Sequence, residues 1–236
     1  MTNYVLIHGA WHGGWCWSRI RGQLTAKGHG VFTPTLTGLG DRSHLLSREV
    51  GFETHIADVA NLLIWEDLRD VVLVGHSYGG AIARHVADRL PDRIGSLIYL
   101  DAFVPENGKS VASYLADSGK SLHVLAVLHG QGWKVPPLPA AAMGLSGADA
   151  DWVDRRCTMH PHVTNETPAR LSGACDSVAD IGYILTRGWD GLGGLFVQFA
   201  TLAKRRGWWC EELNCSHDAM IDMPNELAKL LLQRAS

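Results

Sequence analysis

Short apolar runs alternate with amphipathic stretches along most of this chain. The apolar runs cover residues 4–7, 31–36, 71–74, 96–100, 181–185 and 208–213. Runs this short and this uniformly apolar are typical of strands in a parallel sheet that is buried on both faces. The stretches between them favour helices at about 54–65, 80–90 and 196–205, and a last helix that begins at Pro224. The alternation predicts an α/β fold with about six mainly parallel strands flanked by helices.

Residues from about 105 to 180 interrupt this alternation. Small residues are frequent there, and prolines interrupt any long helix at Pro136, Pro137, Pro139, Pro161 and Pro168. We expect this segment to form a cap that is inserted after the fourth strand and lies over the carboxyl-terminal edge of the sheet. No internal repeat or low-complexity tract divides the chain, so residues 1–236 are predicted to form a single domain.

Composition excludes several other classes of protein. The 236 residues are 46% apolar and 19% charged, which is enough for a sizeable core, and the net charge of −3 with no basic stripe argues against a nucleic-acid partner. No apolar run approaches the roughly 18 residues of a membrane span, and no signal peptide is visible, so we expect a cytoplasmic protein. A homodimer is one possible assembly.

Neither a metal nor a cofactor is expected from the sequence. The five cysteines are scattered and show no Cys-x-x-Cys spacing, which argues against a zinc site and against a disulfide framework. His160 and His162 form an isolated His-x-His pair, which is too little for a metal site.

The strongest motif surrounds Ser77. Residues 71–80 read Val-Val-Leu-Val-Gly-His-Ser-Tyr-Gly-Gly, which is a Gly-x-Ser-x-Gly motif directly after a predicted strand and before a predicted helix. In that context the motif forms a sharp, strained turn that raises the serine hydroxyl to the top of an α/β-hydrolase sheet. A helix N-terminus at this point also favours developing negative charge. We therefore predict that Ser77 is a catalytic nucleophile.

A serine nucleophile needs a general base and two donors to the oxyanion. In the α/β-hydrolase fold the histidine follows the acid along the chain, and His217 lies between the last predicted strand and the last helix. The expected oxyanion donors are the backbone N–H of Tyr78, directly after the nucleophile, and the N–H of Ala10, in the loop after the first strand. Gly9 would leave room for the substrate.

Two aspartates compete for the acid position of the triad. Asp101 ends the strand after the nucleophile helix, whereas Asp190 follows the strand before the last one, slightly late. Both positions face the same edge of the sheet, so the sequence does not decide which of the two aspartates is the acid. A carboxylate that terminates an apolar strand needs a partner, which favours Asp101. Glu106 or another acidic residue is the remaining alternative.

Three segments together resemble a known group of small, cap-bearing α/β-hydrolases. They are His8-Gly-Ala-Trp-His-Gly-Gly-Trp, Gly75-His-Ser-Tyr-Gly and Ser216-His-Asp-Ala-Met. The group includes plant methyl-salicylate-type esterases, hydroxynitrile lyases, and bacterial esterases that act on pyrethroid esters and benzimidazole carbamates. The resemblance runs essentially end to end and implies a six-stranded parallel core and cofactor-free hydrolysis through an acyl-enzyme.

The chain differs from the hydroxynitrile lyases of this group at two positions. It has Gly9 where they carry threonine or asparagine beside the oxyanion loop, and Asp218 where the best-known lyases carry lysine. The resemblance therefore favours an esterase over a lyase. A cofactor-free oxygenase and a non-catalytic small-molecule receptor, both found on this fold, are further alternatives, and the intact Ser77 and His217 argue against a receptor.

The expected substrate is a small hydrophobic or aromatic carboxylic ester or carbamate. Nine tryptophans in a chain of this length suggest an apolar, partly aromatic pocket. We expect its lining to include Gly9 and Trp11 from the loop after the first strand, and Trp133 and Trp152 from the cap.

Overall fold

Six strands form one parallel sheet in the computed structural model, which describes residues 1–189 and 191–234. The described residues contain eight strands in all: β1 (Asn3–Ile7), β2 (Gly30–Phe32), β3 (Val71–His76), β4 (Ile94–Leu100), β5 (Lys134–Val135), β6 (His160–Pro161), β7 (Asp180–Thr186) and β8 (Trp209–Leu213). The main sheet has the order β2-β1-β3-β4-β7-β8, and β5 and β6 form a separate antiparallel pair. The predicted α/β fold with six parallel strands is confirmed.

Helices cover both faces of the sheet. They are α1 (Ser18–Ala26), α2 (Phe52–Trp65), α3 (Tyr78–Arg89), α4 (Ala116–His129), α5 (Gly147–Asp154), α6 (Val163–Glu166), α7 (Leu195–Arg205), α8 (Ala219–Asp222) and α9 (Pro224–Leu232). None of the described helices is long and apolar enough to cross a bilayer.

Side chains of each strand alternate between two apolar layers. In β1, Val5 and Ile7 pack into the layer that contains α2, α3 and α7. Tyr4 and Leu6 pack into the opposite layer with α1 and α9. Because both layers are apolar, a strand in the middle of this sheet has no polar face, which explains the uniformly apolar runs in the sequence.

Three elements differ from the sequence prediction. The helix α4 is 14 residues long, although no long helix is expected between about residues 105 and 180; the five prolines that were expected to interrupt a helix all follow its last residue. The second strand ends at Phe32 rather than at residue 36. Pro34 follows two residues later, and a proline has no N–H to donate to a neighbouring strand. The helix α1 was missed because most of its residues are polar, and only Ile20 and Leu24 are buried along it.

The strand order places two loops together at the carboxyl edge of the sheet. The strand β1 lies between β2 and β3, so the chain winds first to one side of β1 and then to the other. In open parallel sheets, ligands bind at the carboxyl ends of strands where the winding reverses. The loop after β1 and the turn after β3 meet at this position.

A long insertion separates β4 from β7, as the sequence predicts for the cap. It carries α4, α5, α6 and the β5–β6 pair. Two backbone hydrogen bonds fasten it to the sheet edge. The Thr158 N–H donates to the Trp11 carbonyl at 2.9 Å, and the His217 N–H donates to the Met143 carbonyl at 2.9 Å. The cap therefore contacts the loops that follow β1 and β8.

Burial lowers the pKa of five histidines: His8, His55, His76, His85 and His160. The shift brings the pKa of His55 to about 4. Its ring is held between the Thr37 carbonyl at Nε2 and the Tyr78 hydroxyl at Nδ1, both at 2.9 Å. These rings are therefore neutral in the folded protein at neutral pH.

We expect the free energy of unfolding to fall steeply as the pH drops below 6.5, the ordinary pKa of histidine. Below that pH the unfolded chain binds protons that the folded chain does not, so acid favours unfolding. Each such histidine contributes a slope of up to about 1.4 kcal/mol per pH unit. For His55 the slope ends near its folded-state pKa of about 4. Urea unfolding at a series of pH values measures this dependence.

The variant His55→Gln isolates one contribution. Between pH 6.5 and 4 the free energy of unfolding of this variant should depend less steeply on pH than that of the wild type, by up to about 1.4 kcal/mol per pH unit. The reason is that unfolding of the variant takes up one proton fewer. His44→Gln is the matched control, because it makes the same substitution at an exposed histidine. An unchanged slope in His55→Gln would contradict the neutral, buried state of this ring.

Candidate active site

Ser77 lies in a strained turn between β3 and α3. Its backbone has φ 53° and ψ −122°, a region that residues with a side chain rarely adopt. Backbone hydrogen bonds hold it on both sides: its N–H donates to the Leu100 carbonyl at 3.2 Å, and its carbonyl accepts from Phe103 N–H at 3.1 Å. The turn fixes the side chain of Ser77 at the carboxyl edge of the sheet.

The first turn of α3 packs directly on the end of β1. A Cβ atom at Gly79 would lie 2.6 Å from the His8 carbonyl oxygen and 2.8 Å from that of Ile7, so only glycine fits there. A Cβ at Gly9 would lie 3.0 Å from the Cβ of Ser77. The loop after β1 is therefore in contact range of the serine, as the sequence predicts for an oxyanion loop.

Asp101 and His217 form a short, buried hydrogen bond. The imidazole Nδ1 lies 2.7 Å from Oδ2 of the carboxylate, and both side chains are almost completely buried. With Nδ1–H donating to the carboxylate, the Nε2 of His217 keeps its lone pair. Nε2 is then the nitrogen available to accept a proton, which is the arrangement that a general base requires.

Other donors surround the Asp101 carboxylate. Thr186 donates from its N–H to Oδ1 at 3.1 Å and from its hydroxyl to Oδ2 at 2.8 Å. The Trp189 indole N–H donates to Oδ2 at 3.0 Å. These bonds compensate for the removal of a carboxylate from water and hold it in one orientation.

The structure brings one of the acid candidates to His217. Asp101, the candidate that the sequence favours, is its hydrogen-bond partner. Asp190 lies outside the described residues. Glu106 is exposed. Its backbone N–H donates to the Tyr114 hydroxyl at 2.9 Å.

Three aromatic rings enclose the His217 imidazole. The ring centroids of Trp189, His76 and Phe196 lie 4.4, 4.5 and 5.1 Å from it. His76 also donates from Nε2 to the His217 carbonyl at 3.0 Å. The imidazole is thus fixed by packing as well as by Asp101. Trp189 and Phe196 were not identified from the sequence, although Trp189 directly precedes the acid candidate Asp190.

His8 orients the peptide group that carries the Ala10 N–H. Its Nε2 accepts from Leu36 N–H at 3.0 Å, so its Nδ1 is protonated and donates to the Gly9 carbonyl at 2.8 Å. Burial lowers the pKa of His8 to about 3, so this tautomer is neutral. The Gly9 carbonyl and the Ala10 N–H belong to one planar peptide. Fixing the first therefore fixes the direction of the second.

A buried ion pair joins the loop after β1 to the residue after His217. Nε2 of His12 lies 3.4 Å from Oδ2 of Asp218, and both side chains are fully buried. Burial alone would lower the pKa of His12, but the Asp218 carboxylate outweighs it and raises this pKa well above its usual value. The Nδ1–H of His12 donates to the Ala10 carbonyl at 2.8 Å. The imidazolium thus contacts the peptide group that follows Ala10.

A cavity of about 310 Å³ opens between the sheet edge and the cap. Its floor contains Ser77, His217, and the loop residues Gly9, Ala10 and Trp11, with Tyr78 at the start of α3. Its walls are mostly apolar and include Phe103, Leu115, Leu122, Leu125, Leu138, Met143, Trp189 and Leu192. Among the described residues that line it, none is an aspartate, glutamate, lysine or arginine.

Two predicted pocket residues lie elsewhere. Trp133 is not part of this lining and carries Lys134 against its ring, 5.3 Å from the centroid. Trp152 packs edge-on against Trp15 at 4.9 Å, and the guanidinium carbon of Arg156 lies 4.7 Å from its ring centroid. Both indoles are half-buried and neither is part of the cavity lining, which corrects the expectation that they line the substrate pocket.

Comparison with known proteins agrees with this geometry. The profile of the alpha/beta hydrolase family matches residues 4–230. The chain belongs to this family. It is 44% identical over 241 residues to the carbendazim hydrolyzing esterase of Nocardioides sp. (strain SG-4G), with 98% of both chains covered. Methylesterase 7 of Arabidopsis thaliana is 32% identical over 105 residues, which are 44% of this chain and 40% of that protein.

A solved structure of this family superposes over the whole length of the chain. It is an extracellular alpha/beta-hydrolase from a Paenibacillus species, described as sharing structural and functional homology with tobacco salicylic acid binding protein 2. The TM-score is 0.86 at 26% identity, with 100% of this chain and 99% of the other covered.

Replacing Asp218 in this α/β hydrolase by asparagine should lower the free energy of unfolding by about 3–5 kcal/mol. The substitution leaves the buried His12 without a counterion. The ion pair makes its full contribution to the free energy of unfolding at pH values between 3.8 and 6.5, the ordinary pKa values of aspartate and histidine. Its contribution declines as the pH rises through the raised pKa of His12. Urea unfolding at pH 6 therefore measures the effect.

A double-mutant cycle separates the pair from local packing. His12→Gln should also destabilise the protein, and the double variant His12→Gln/Asp218→Asn should be less destabilised than the sum of the two single variants. Free energies that add to within about 0.5 kcal/mol would contradict an ion pair between these residues.

Proposed function

We propose that this α/β hydrolase cleaves a neutral, hydrophobic or aromatic carboxylic ester or carbamate through an acyl-enzyme. Ser77 is the nucleophile, His217 the general base and Asp101 the acid of the triad. The observation that carries the proposal is the 2.7 Å hydrogen bond from His217 Nδ1 to the buried Asp101, in a histidine that lines the same cavity as Ser77.

The reaction starts with transfer of the Ser77 proton to Nε2 of His217. The serine oxygen attacks the acyl carbon while the proton leaves it, and a cationic imidazolium forms. Asp101 stabilises that cation and keeps Nδ1 protonated throughout. The rings of Trp189 and Phe196 keep the imidazole in place between the serine and the leaving group.

The oxyanion of the tetrahedral intermediate accepts hydrogen bonds from the Ala10 and Tyr78 amides. Tyr78 begins α3, where backbone N–H groups have no acceptor within the helix. The Ala10 amide is held in direction by His8, and the His12 imidazolium, which contacts the next peptide group, adds positive charge. Donors that are already oriented need no reorganisation when the charge develops.

His217 then protonates the leaving alcohol, which departs and leaves an acyl or carbamoyl group on Ser77. Water enters, gives its proton to His217 and attacks the same carbonyl. Collapse of the second tetrahedral intermediate returns the proton to Ser77 and releases the acid. For a carbamate substrate, the released carbamic acid loses carbon dioxide to give an amine.

The cavity determines the class of substrate. A volume of about 310 Å³ suits a small molecule with one or two rings. The lining is mostly apolar, and the charge of its His12 imidazolium is already paired with the buried Asp218, so it offers no free partner to an ionised acyl group. Asn165 is a buried polar residue in the lining that could orient a carbamate or ring nitrogen. The esterase from Nocardioides, 44% identical, is described as hydrolysing carbendazim, which supports a carbamate among the substrates.

The cytoplasm is the proposed location. All five cysteines are free thiols, which supports a reducing compartment.

Replacing Asp101 by asparagine should reduce kcat by about 10³–10⁴-fold, because the histidine loses the carboxylate that sets its tautomer. Asp190→Asn and the exposed Asp151→Asn should keep wild-type rates. Hydrolysis of p-nitrophenyl butyrate measures all three. A large loss of kcat in Asp190→Asn, with Asp101→Asn near the wild-type rate, would move the acid to position 190.

The nucleophile has its own test. Ser77→Ala should abolish ester cleavage and also prevent labelling by a fluorophosphonate, detected as a mass increase of the intact chain. A Ser77→Ala protein that still reacts or still turns over substrate would refute the acyl-enzyme proposal. A wild-type protein that neither hydrolyses esters nor is labelled at Ser77 would instead favour a receptor or an oxygenase.

A substrate panel tests the pocket. We expect kcat/KM for methyl benzoate and for aryl methyl carbamates to exceed that for monomethyl succinate by at least about 100-fold, because burying an unpaired carboxylate costs several kcal/mol. A preference for the charged ester would contradict the proposed apolar substrate.

A further inference from the structure

A group of three metal-ligating side chains converges on the cap, within the part of the chain that the structure describes. His123 lies on α4, and His162 and Glu166 lie at α6, about forty residues later in the chain. Nδ1 of His123 is 3.3 Å from Nε2 of His162, which is 3.2 Å from Oε1 of Glu166. All three ligand atoms lie within 4.8 Å of one another.

Two of the three separations fit a tetrahedral zinc site. Zinc binds imidazole nitrogen at about 2.0–2.1 Å and carboxylate oxygen at about 2.0–2.2 Å, so neighbouring ligand atoms lie about 3.3–3.5 Å apart. The separations of 3.3 Å between the two imidazole nitrogens and 3.2 Å between His162 and Glu166 are close to this range. Two histidines and one glutamate leave the fourth position to water, which is a ligand set that zinc adopts in proteins.

Hydrogen bonding alone explains the cluster less completely. Nε2 of His162 faces both the His123 nitrogen and the Glu166 oxygen. A neutral imidazole nitrogen either donates one proton or accepts one, so it cannot satisfy both neighbours by aligned hydrogen bonds. A cation between the three atoms would satisfy all three lone pairs at once.

The cluster lies beside the proposed substrate cavity. Leu122 and Leu125, next to His123 on α4, line that cavity, as does Asn165, which lies between His162 and Glu166. The outer side of α4 exposes Val124, Val127 and Leu128, so apolar burial holds this helix only on one side. A link between α4 and α6 would therefore restrain two walls of the cavity.

We propose that His123, His162 and Glu166 bind one divalent transition-metal ion of the zinc class, and that this ion fastens α4 to α6 over the cavity. The ion has a structural role and does not contact the reacting atoms. The binding site rests only on the positions of the three side chains and is independent of the proposed hydrolysis.

Metal binding can be measured without any substrate. Untagged full-length protein is stripped with EDTA, desalted, and titrated with CoCl₂ and with ZnCl₂. We expect one equivalent of Zn²⁺ to remain after gel filtration, Co²⁺ to show the intense visible bands of tetrahedral coordination, and the Tm to rise by several degrees with either ion. Absence of stoichiometric binding would overturn the proposal.

Matched variants locate the site. His123→Asn and Glu166→Gln should each weaken Zn²⁺ binding by at least about tenfold, because each removes one ligand. His129→Asn, an exposed histidine on the same helix, should bind like the wild type. Equal binding by wild type, His123→Asn and Glu166→Gln would show adventitious surface binding only and refute the site.

Enzyme kinetics provide a separate readout. If the ion restrains the cavity walls, adding Zn²⁺ to stripped protein should change KM for an aromatic ester at least twofold with kcat nearly constant, and His123→Asn should lose this response. An effect on kcat alone would contradict a structural role for the ion. Because binding is measured by mass and absorbance, a failure of the proposed hydrolysis leaves the metal test intact.

Discussion

The strained turn at Ser77 is the constraint on which the site depends. A buried strand ends and a helix begins within one residue, so the backbone of that residue adopts a conformation that only close packing maintains. Such packing requires the α3 helix to contact the end of β1, where a side chain at Gly79 would collide with two carbonyl oxygens. The same contact brings the oxyanion loop to the serine. The proposed nucleophile and the proposed oxyanion donors are therefore positioned by the same packing contact.

Strain and buried charge are concentrated at the same edge of the sheet. Trp11, Ser77 and Asp101, the residues after β1, β3 and β4 that border the site, all have positive φ. Non-glycine residues in this region cost on the order of 1–3 kcal/mol each, and they persist where the surrounding structure determines them. Asp101 and Asp218 are fully buried carboxylates, each facing a histidine. The apolar core of the sheet thus stabilises an edge that is itself unfavourable, which is a general feature of preorganised sites.

Residues whose position follows from local pattern could be proposed from the sequence, and contacts that follow from packing could not. Ser77, His217 and the Gly9–Ala10 loop each occur at a fixed place relative to a strand end, and strand ends are visible in the sequence. Asp101 could be favoured but not separated from Asp190, because strand ends alone do not show which carboxylate reaches the imidazole. Trp133 and Trp152 were misplaced since composition indicates aromatic content but not side-chain direction. The pairing of His162 with His123 needed the folded cap, which joins segments about forty residues apart.

The site has two halves with different physical demands. The sheet half holds charged and polar groups in fixed directions, so its residues tolerate little movement: moving the Ala10 amide, for example, would break the hydrogen bond between His8 and Gly9. The cap half lines the cavity mainly with apolar side chains, which impose shape without directional bonds. Changes in the cap can therefore alter the accepted substrate while leaving the proton-transfer geometry intact. An ion that links α4 to α6 would act on this half alone. Such an ion should therefore change substrate binding, measured as KM, rather than the rate of the chemical step.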